Sequence, residues 1–384
     1  MKIGILTLVP YDNYGGILQG YALQTVLERL GHKVFIMNTK LYNYKPLKFR
    51  VKANIKWFIR KYLLRRTNVG KYSPLTLKKY EAYRVSELSP FNAKYIHFTR
   101  TFKDGTNDIA NFSESQHFDA FVVGSDQTWR PSLSPDLYHM FCDFVSPTSK
   151  VKRIAYAASF GLDTMSFTQA QLNRCIPLLQ RFKAVGVREA SGVDLCKQYF
   201  NVDATQVLDP TMLLDKEDYL KLISNYSPNH KEIDFMQYVF FWKHDEKAII
   251  DKVSRIINCK PTNLFPEKFL KEIESKEDLE LAKFQPLEEW LYGYSRAKFV
   301  VTDSFHGTVF CIIFNVPFLV VSPDASTRLK SLLSLFGLEN RFIMTEDQVT
   351  PELVNETTDW EMVNSCRDKL KGQSLSFLKR ALAD

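Results

Sequence analysis

The chain has no apolar run that approaches the ~20 residues needed to cross a bilayer. Its opening apolar stretch stops at Pro10 without a small-residue cleavage site, so a signal peptide is not expected. The six cysteines are scattered and include no CxxC pair, which argues against zinc and against an extracellular disulfide framework. We therefore expect a cytoplasmic protein with reduced, mostly packed thiols, no metal ion and no cofactor.

A second absence is local, because no Asp or Glu occurs from Leu41 to Tyr80. The net charge of the whole chain is +8, and this one stretch is dense in basic residues. They are Lys45, Lys48, Arg50, Lys52, Lys56, Arg60, Lys61, Arg65, Arg66, Lys71, Lys78 and Lys79. An uncompensated basic segment predicts an acidic partner, such as a membrane surface, an anionic substrate or nucleic acid. No nucleic-acid-binding module is recognisable, so we do not expect nucleic acid.

Part of the basic segment also has an apolar face. Six residues recur there at helical spacing, namely Val51, Ile55, Phe58, Ile59, Tyr62 and Leu63. Such a helix has two interpretations. In the first, it lies in an anionic membrane interface, and the protein is peripheral at the inner face of the plasma membrane. In the second, the apolar face packs on its own domain and the basic side is solvated.

A chain of 384 residues exceeds the ~250–300 residues of one hydrophobic core, so two domains are predicted. The strand Lys2–Val9, a helix that ends at Gly31 and the strand Lys33–Asn38 form a βαβ unit, which is typical of a parallel sheet. A second alternating run follows Pro210. We expect an α/β fold with an N-terminal Rossmann-like domain at 1–208, a basic insertion within it at about 41–117, a C-terminal Rossmann-like domain at 209–360 and a docking helix within 361–384.

Hydrophobic patterns and turn residues place the other elements. The predicted strands are Phe118–Gly124, Arg153–Ser159, Ala184–Arg188, Gln206–Leu208, Phe235–Phe241, Phe299–Asp303 and Pro317–Val321. The predicted helices are Thr168–Phe182, Glu246–Ile257, His306–Phe314, Thr327–Phe336 and Cys366–Leu382. Ligands of doubly wound sheets bind beyond the carboxyl ends of the strands, so the residues that follow each strand are the candidates for a site.

The first candidate motif, Asp12 to Gln19, begins with Asp12-Asn13-Tyr14-Gly15-Gly16, which lies between a strand and a helix. Glycines at this place allow a tight turn and offer backbone amides to an anion. The spaced GxGxxG of dinucleotide sites is missing. A tight turn without a ligand explains the motif equally well.

Two further motifs follow strands of the first domain. In Gly124-Ser125-Asp126, the Asp126 carboxylate suits a base that accepts a proton from a sugar hydroxyl, although Ser125 and Asp126 also suit a helix N-cap. In the stretch 156–161, small residues around Ser159 either leave room for a ligand or allow close packing with a turn at Gly161.

Arg188 and His306 also follow apolar strands. Arginine avoids burial unless it is paired, and its planar fork suits a carboxylate or a phosphate. The alternative for Arg188 is an ion pair with Glu189 or another local acid. His306 stands at the start of a helix, where backbone amides favour an anion and an imidazole could donate a proton near neutral pH. The alternative for His306 is a bond to a main-chain carbonyl.

In their order and placement these motifs resemble the polysaccharide pyruvyl transferase family. The resemblance runs from Lys2 to about Arg341 and rests on Asn13-Tyr14-Gly15-Gly16, Gly124-Ser125-Asp126, residues 156–161, Arg188, Asp209-Pro210 and residues 303–307. It implies two Rossmann-like domains that face a cleft, as in the GT-B glycosyltransferases, with phosphoenolpyruvate bound between them. It also implies transfer of the pyruvyl group onto two hydroxyls of one sugar as a ketal.

The resemblance also implies roles for single residues. His306 matches a family histidine that acts on phosphoenolpyruvate, and we expect it to be the acid, with Asp126 as the base. Many family members carry an arginine two residues before the histidine, where this chain has Ser304. Ser304 could donate a hydrogen bond there, and Arg328 could supply the missing charge. The expected substrate-binding residues are Arg188, Ser304, Phe305, Gly307, Arg328, Ser159, Asn13, Tyr14, Gly15, Gly16 and Ser125.

Two other functions fit the same pattern. A nucleotide-sugar glycosyltransferase of GT-B type would use a similar cleft, phosphate site and acid. A non-catalytic member of the same fold would explain the missing arginine at position 304. The pyruvyl transferase interpretation predicts a sugar acceptor on a polysaccharide or on a lipid-linked glycan precursor, because pyruvylated polysaccharides are often built on lipid carriers at the inner membrane face.

Overall fold

The computed structural model describes residues 1–8, 13–39, 47–65, 72–102, 105–134, 136–230, 232–240, 246–322 and 326–383. Within these residues the strands form two separate parallel sheets, as the alternating pattern predicted. Predictions that involve Val9, Pro10, Asp12, Leu41, Lys45, Arg66, Lys71 and Phe241 fall outside the described residues.

The first sheet contains β1 (Lys2–Leu6), β2 (Lys33–Ile36), β3 (Ala120–Val123), β4 (Lys152–Ala158), β5 (Ala184–Val187) and β6 (Thr205–Gln206). Their spatial order is β2-β1-β3-β4-β5-β6, and neighbouring strands are parallel. All four residues of β3 are buried, as expected for a central strand of a parallel sheet. The order reverses between β1 and β3, so the space beyond their carboxyl ends is the switch point where ligands bind in such sheets.

The second sheet contains β7 (Phe235–Tyr238), β8 (Thr262–Asn263), β9 (Phe299–Thr302), β10 (Phe318–Val321) and β11 (Phe342–Ile343). Their order is β11-β10-β9-β7-β8, again parallel, with the switch point between β7 and β9. Asp303, which follows β9, accepts a hydrogen bond from the backbone amide of Phe240 at 2.9 Å and so ties the loops after the two strands together.

The helices are α1 (Tyr14–Arg29), α2 (Leu47–Phe58), α3 (Pro74–Arg84), α4 (Ser89–Tyr95), α5 (Gly105–Ser115), α6 (Gln169–Leu179), α7 (Ala190–Leu195), α8 (Lys216–Leu222), α9 (Glu246–Ile257), α10 (Lys276–Leu281), α11 (Leu287–Arg296), α12 (Phe305–Phe314), α13 (Thr327–Leu335), α14 (Pro351–Asn355) and α15 (Trp360–Leu382). Short π-helical turns follow α2 at Ile59–Leu63 and α7 at Cys196–Phe200. No helix in the described ranges is both long and apolar enough to span a membrane.

The strands end earlier than the sequence predicted, and this moves several candidate residues beyond the sheet. The strand predicted to end at Arg188 ends at Val187, and the strand predicted to end at Asp303 ends at Thr302. The predicted domain boundary at residues 208 and 209 falls between the last strand of the first sheet and the first strand of the second. Asp209 therefore lies on the connection between the two sheets.

Helix α15 packs on the first sheet, which identifies the docking surface that the sequence left open. The Ser374 hydroxyl accepts a hydrogen bond from the backbone amide of Leu208 at 3.0 Å. The Phe377 ring lies 6.3 Å from the ring of Tyr156, a residue of β4. The helix begins at Trp360, earlier than predicted, because Asp359 accepts a hydrogen bond from a backbone amide of its first turn.

The two sheets are joined by side chains that cross between them. Tyr14, at the start of α1, is fully buried and donates its hydroxyl to the carbonyl of Gln285 at 3.0 Å. Its ring stacks on Trp290 of α11 at 5.4 Å between centroids. Farther along α1, Arg29 pairs with Asp218 of α8 at 2.8 Å. The start of α1 is therefore held against the second sheet.

Candidate active site

The switch points of the two sheets meet at Gly15 and His306. Gly15 lies in the first turn of α1, which follows β1, and His306 lies in the first turn of α12, which follows β9. A Cβ atom on Gly15 would lie 2.3 Å from Cγ and Nδ1 of the His306 ring. Only glycine leaves room for such a close approach. Gly15 thus packs against the histidine, a role that neither the tight-turn nor the anion-binding interpretation included.

A buried carboxylate, Asp209, lies beside His306. The Ser125 hydroxyl donates to Asp209 Oδ2 at 2.8 Å, and Arg188 Nη1 lies 3.3 Å from the same oxygen. His306 Nε2 lies 3.5 Å from it. The backbone amide and hydroxyl of Thr211 donate to Asp209 Oδ1 at 3.1 and 2.7 Å. These five residues form what we call the Asp209 cluster.

Asp209 is charged despite its burial. Burial by itself would raise the pKa of this carboxyl, but His306, Arg188 and the hydrogen bonds from Thr211 hold the pKa well below its usual range. The 3.5 Å His306 contact is an ion-pair distance, and His306 Nε2 has no hydrogen-bond partner among the described atoms. A fixed carboxylate at this distance can orient the imidazole ring. Asp209 is therefore a candidate site residue to which the sequence analysis gave no role beyond its place in the Asp209-Pro210 motif, although it too follows a short strand.

Arg188 is buried among three carboxylates. Its Nε donates to Glu189 at 2.8 Å, and Nη1 lies near Asp126 at 3.5 Å as well as near Asp209. Burial alone would lower the pKa of the guanidinium, but these acids raise it above its ordinary value. The guanidinium also lies over the ring of Phe305 at 4.0 Å. The ion pair that was the alternative for Arg188 is thus present, while its buried Nη2 has no hydrogen-bond partner among the described atoms.

Arg328 lies near Arg188 and is differently placed. Burial, followed by the charge of Arg188, lowers its pKa, whereas Asp126 and Glu189 act in the opposite direction. No acid lies within ion-pair distance of Arg328 in the described chain, which excludes residues 323–325. The two arginines and Phe305 line a pocket of about 10 Å³, room for about one water molecule. A larger anion would enter only if Phe305 or the two domains moved.

The amino-acid sequence matches the sequence model of a known protein family. The family is described as polysaccharide pyruvyl transferase, and its sequence model matches residues 13–325. The chain belongs to the polysaccharide pyruvyl transferase family. No curated protein sequence is significantly similar to it.

The chain is also similar to solved structures of two epimerases and one glycosyltransferase. A putative UDP-N-acetylglucosamine 2-epimerase from Listeria monocytogenes is 12% identical, with a TM-score of 0.53 over 100% of this chain and 96% of that chain. The UDP-GlcNAc 2-epimerase of Neisseria meningitidis bound to UDP-GlcNAc is 9% identical, with a TM-score of 0.47 over 100% and 95%. An O-GlcNAc transferase mutant from Thermobaculum terrenum is 11% identical, with a TM-score of 0.45 over 99% and 66%. The similarity to the Listeria protein supports only a statement about the fold of this chain, which has two Rossmann-like domains that face a cleft in a GT-B-like architecture.

Several pyruvyl transferase motif residues support the loops of the cleft. Ser159 is fully buried, and its hydroxyl accepts a hydrogen bond from the Gly161 amide at 2.9 Å. Its own amide donates to the Asp126 carbonyl at 3.0 Å. Asp126 has a left-handed backbone with φ of 68°, and residues 127–133 form turns, so the N-cap interpretation of Ser125 and Asp126 is wrong.

Other motif residues organise the helix starts. Asn13 caps α1, and its Oδ1 accepts a hydrogen bond from the Gly16 amide at 3.0 Å. Ser304 caps α12 by accepting from the Gly307 amide at 3.1 Å. Gly307 packs closely, because a Cβ atom there would lie 2.4 Å from Thr302 Oγ1. Substrate contacts of these residues, and of Tyr14 and Ser159, stay predictions.

Gln19 of α1 is a supporting residue that ends the first sequence motif, Asp12 to Gln19, and to which the sequence analysis gave no role. It is fully buried, and its Nε2 donates to the Thr7 hydroxyl at 2.8 Å. Its Oε1 accepts a hydrogen bond from the Ser125 amide at 3.1 Å. Gln19 thus joins the end of β1 to the loop after β3. A polar side chain on the buried face of a helix that follows a glycine motif was the available signal.

Proposed function

We propose that the protein transfers the pyruvyl group of phosphoenolpyruvate onto a sugar and forms a pyruvate ketal. The observation that carries the proposal is that Arg188 and Arg328 line one pocket with Asp209, while His306 Nε2 lies 3.5 Å from the same Asp209, in a chain of this family. Two guanidinium groups suit the phosphate and carboxylate of the donor. An imidazole beside them suits the acid of the reaction.

The proposed reaction begins with proton transfer. His306 donates a proton to C3 of the enol, the C2–C3 double bond supplies the electron pair, and C2 becomes an oxocarbenium centre. A sugar hydroxyl attacks C2 and its proton passes to Asp126. The bond from C2 to the phosphate oxygen then breaks, and phosphate leaves with the electron pair. A neighbouring hydroxyl attacks C2 and its proton passes to His306, which closes the ketal and restores the acid, and the proton on Asp126 is released to the phosphate. Phosphoenolpyruvate and a diol give a ketal and inorganic phosphate, with no cofactor.

Asp209 contributes by positioning in this mechanism. Its carboxylate lies 3.5 Å from His306 Nε2, while Gly15 covers the Nδ1 side of the same ring. Both ring nitrogens therefore face protein in this conformation. Gly15 and His306 belong to different sheets, so we propose that the donor enters when the two domains separate. Opening would uncover Nδ1, and closing would return His306 Nε2 to Asp209, which Ser125 and Arg188 hold on the first side.

The acceptor in this proposal is a sugar of a polysaccharide or of a lipid-linked glycan precursor. We place the reaction in the cytoplasm, with the enzyme peripheral at the inner membrane face. The uncompensated basic segment supports this placement, because lipid carriers and anionic lipids share that surface.

The donor decides between this function and a nucleotide-sugar glycosyltransferase. We expect phosphoenolpyruvate to raise the melting temperature of the protein and uridine or guanosine diphosphate sugars to leave it unchanged. With phosphoenolpyruvate and a panel of glycans, we expect release of inorganic phosphate and a new pyruvate methyl signal by NMR. The His306→Asn variant serves as the inactive control. Stabilisation by nucleotide sugars alone would favour a glycosyltransferase, and donor binding without any phosphate release would favour a non-catalytic protein.

A further inference from the structure

Helix α2 and the π-helical turn after it present a continuous apolar stripe to solvent. The side chains of the stripe are between 39% and 69% exposed, and they are Val51, Ile55, Phe58, Ile59, Tyr62, Leu63 and Leu64. The described part of the chain leaves this face uncovered, so the interpretation in which the face packs on that part of its own domain is wrong. Contiguous exposed apolar patches are uncommon in proteins that stay free in water, and they mark contact surfaces.

The opposite side of α2 holds it to the protein. The Oδ1 atom of Asn54 accepts a hydrogen bond from the backbone amide of Leu75, at the start of α3, at 3.2 Å. Ala53, Asn54 and Trp57 are partly buried, whereas the stripe from Val51 to Leu64 faces away. Helix α3 is in turn anchored, because Arg84 Nε donates to the Ala282 carbonyl at 2.9 Å. The exposed stripe is therefore carried on an element that is fixed to the rest of the molecule.

The stripe is bordered by positive charge. Lys52, Lys56, Arg60 and Arg65 are exposed, and none forms an ion pair with a described residue. The segment 47–65 contains no acid. A second copy of this chain would bring two such basic borders together, which like-charge repulsion disfavours. An apolar face with Phe, Tyr and Leu and a cationic border instead matches the headgroup region of an anionic bilayer.

We propose that the face of α2 and its turn, from Val51 to Arg65, docks on the surface of an anionic lipid bilayer. The helix lies parallel to the surface, its apolar side chains enter the headgroup boundary, and the lysines and arginines reach the lipid phosphates. Docking on a bilayer would bring a lipid-linked acceptor close to the cleft, and this link to catalysis rests on the proposed function. Lipid binding itself needs neither donor nor acceptor.

Vesicle sedimentation of the full-length protein tests the proposal. We expect binding at low salt to vesicles that contain phosphatidylglycerol, little binding to phosphatidylcholine alone, and a loss of binding as salt rises. The variant Ile55→Ser/Phe58→Ser/Leu63→Ser should bind at least about tenfold more weakly. The control Leu133→Ser/Leu281→Ser/Met362→Ser removes three apolar side chains elsewhere that are 41–46% exposed and should bind like the wild type.

A second pair of variants isolates the charged border. Lys52→Gln/Lys56→Gln/Arg60→Gln should weaken binding to anionic vesicles about tenfold or more, whereas Lys369→Gln/Lys379→Gln/Arg380→Gln, with the same loss of charge, should not. Equal, negligible binding to both kinds of vesicle would overturn the proposal. Vesicle binding that the triple serine variant retains would do the same, as would concentration-dependent self-association without lipid binding.

The outcome separates cleanly from that of the transferase proposal. The surface variants should keep the melting-temperature shift with phosphoenolpyruvate and the phosphate release with a water-soluble acceptor. A failure of lipid binding would leave the donor chemistry standing. A failure of donor chemistry would leave lipid binding measurable.

Discussion

The two sides of the cleft carry their charges differently. On the side of the first sheet, Arg188 is enclosed by Asp126, Glu189 and Asp209. On the side of the second sheet, Arg328 has no acidic partner among the residues that the structure describes. The charge of Arg188 is thus compensated by its own acids, whereas no described residue compensates the charge of Arg328 by an ion pair.

This difference reverses the relative importance that the sequence analysis gave to the two arginines in substrate binding. That analysis expected Arg188 to bind a carboxylate or phosphate and Arg328 to replace the charge of a missing family arginine. The structure gives Arg188 a large share of the internal ion pairs of the site, where removal of one partner leaves buried charges uncompensated. Arg328 is the guanidinium with its charge still available.

Replacement of His306 should have the largest effect. We expect His306→Asn to lower the rate of pyruvyl transfer about 10²–10⁴-fold, the usual contribution of a general acid, while phosphoenolpyruvate still binds. Phosphate release measures the rate, and the donor-induced shift in melting temperature measures binding. An activity within a few-fold of the wild type would remove His306 from the role of acid.

The two arginines should respond in opposite ways. We expect Arg188→Gln to lower the free energy of unfolding by about 3–5 kcal/mol, because three carboxylates lose their counter-charge. Arg328→Gln should change it by no more than about 0.5 kcal/mol. It should instead weaken phosphoenolpyruvate binding about tenfold to a hundredfold, the loss expected for hydrogen bonds to a charged ligand. Urea denaturation and calorimetric titration provide the two numbers, and the reverse assignment of effects would refute the contrast.

Gly15 tests the contact between the two sides. A methyl group at this position meets the His306 ring at 2.3 Å, so Gly15→Ala should destabilise the closed domain arrangement by about 1–3 kcal/mol and reduce activity. Gly16→Ala is the matched control, because its Cβ would lie at an ordinary 3.5 Å from Asn13. The free energy of unfolding of the two variants gives the comparison, and equal values would show that the close approach has no energetic weight.

Replacement of Asp218, which lies away from the cleft, should have the smallest effect on stability, and that effect should depend on pH. Its hydrogen bonds to Arg29, at 2.9 and 2.8 Å, lower its pKa to about 2. The folded pKa lies below the unfolded value of about 3.9, so the stabilisation is complete above that value and is lost as pH falls towards 2. Because Arg29 is half-exposed, we expect Asp218→Asn to cost only about 0.5–1 kcal/mol at neutral pH.

The Asp218 measurement is urea denaturation of both proteins across this pH range. The difference between wild type and variant should shrink as the solution is acidified, and phosphoenolpyruvate binding should not change. A difference that persists at the acidic end would show that the stabilisation does not come from the carboxylate charge.

The alternation of strands and helices could be predicted from the sequence, and so could the location of the candidate site residues just after the strands. Apolar runs, glycines and capping residues act over a few neighbouring residues, so βαβ units and helix starts such as Thr168 can be read locally. Because ligands of such domains bind in the cleft beyond the carboxyl ends of the strands, the same reasoning placed Ser125 and Arg188 on one side of the cleft and His306 on the other. The structure brings all three to Asp209.

The hydrogen-bond and ion-pair partners of those residues could be identified from the tertiary structure alone. Asp209 lies on the connection between the two sheets. The side chains that contact its carboxylate come from positions far apart in the chain, and no local sequence pattern encodes such contacts. The amphipathic pattern of α2 identified its apolar face, but periodicity does not say what covers a face, and here the rest of the described chain leaves it open. Gly15 likewise matters because a ring from the other sheet occupies the volume that a side chain would need. Contacts between distant segments are set by how the sheets pack together, and that packing is a property of the whole fold.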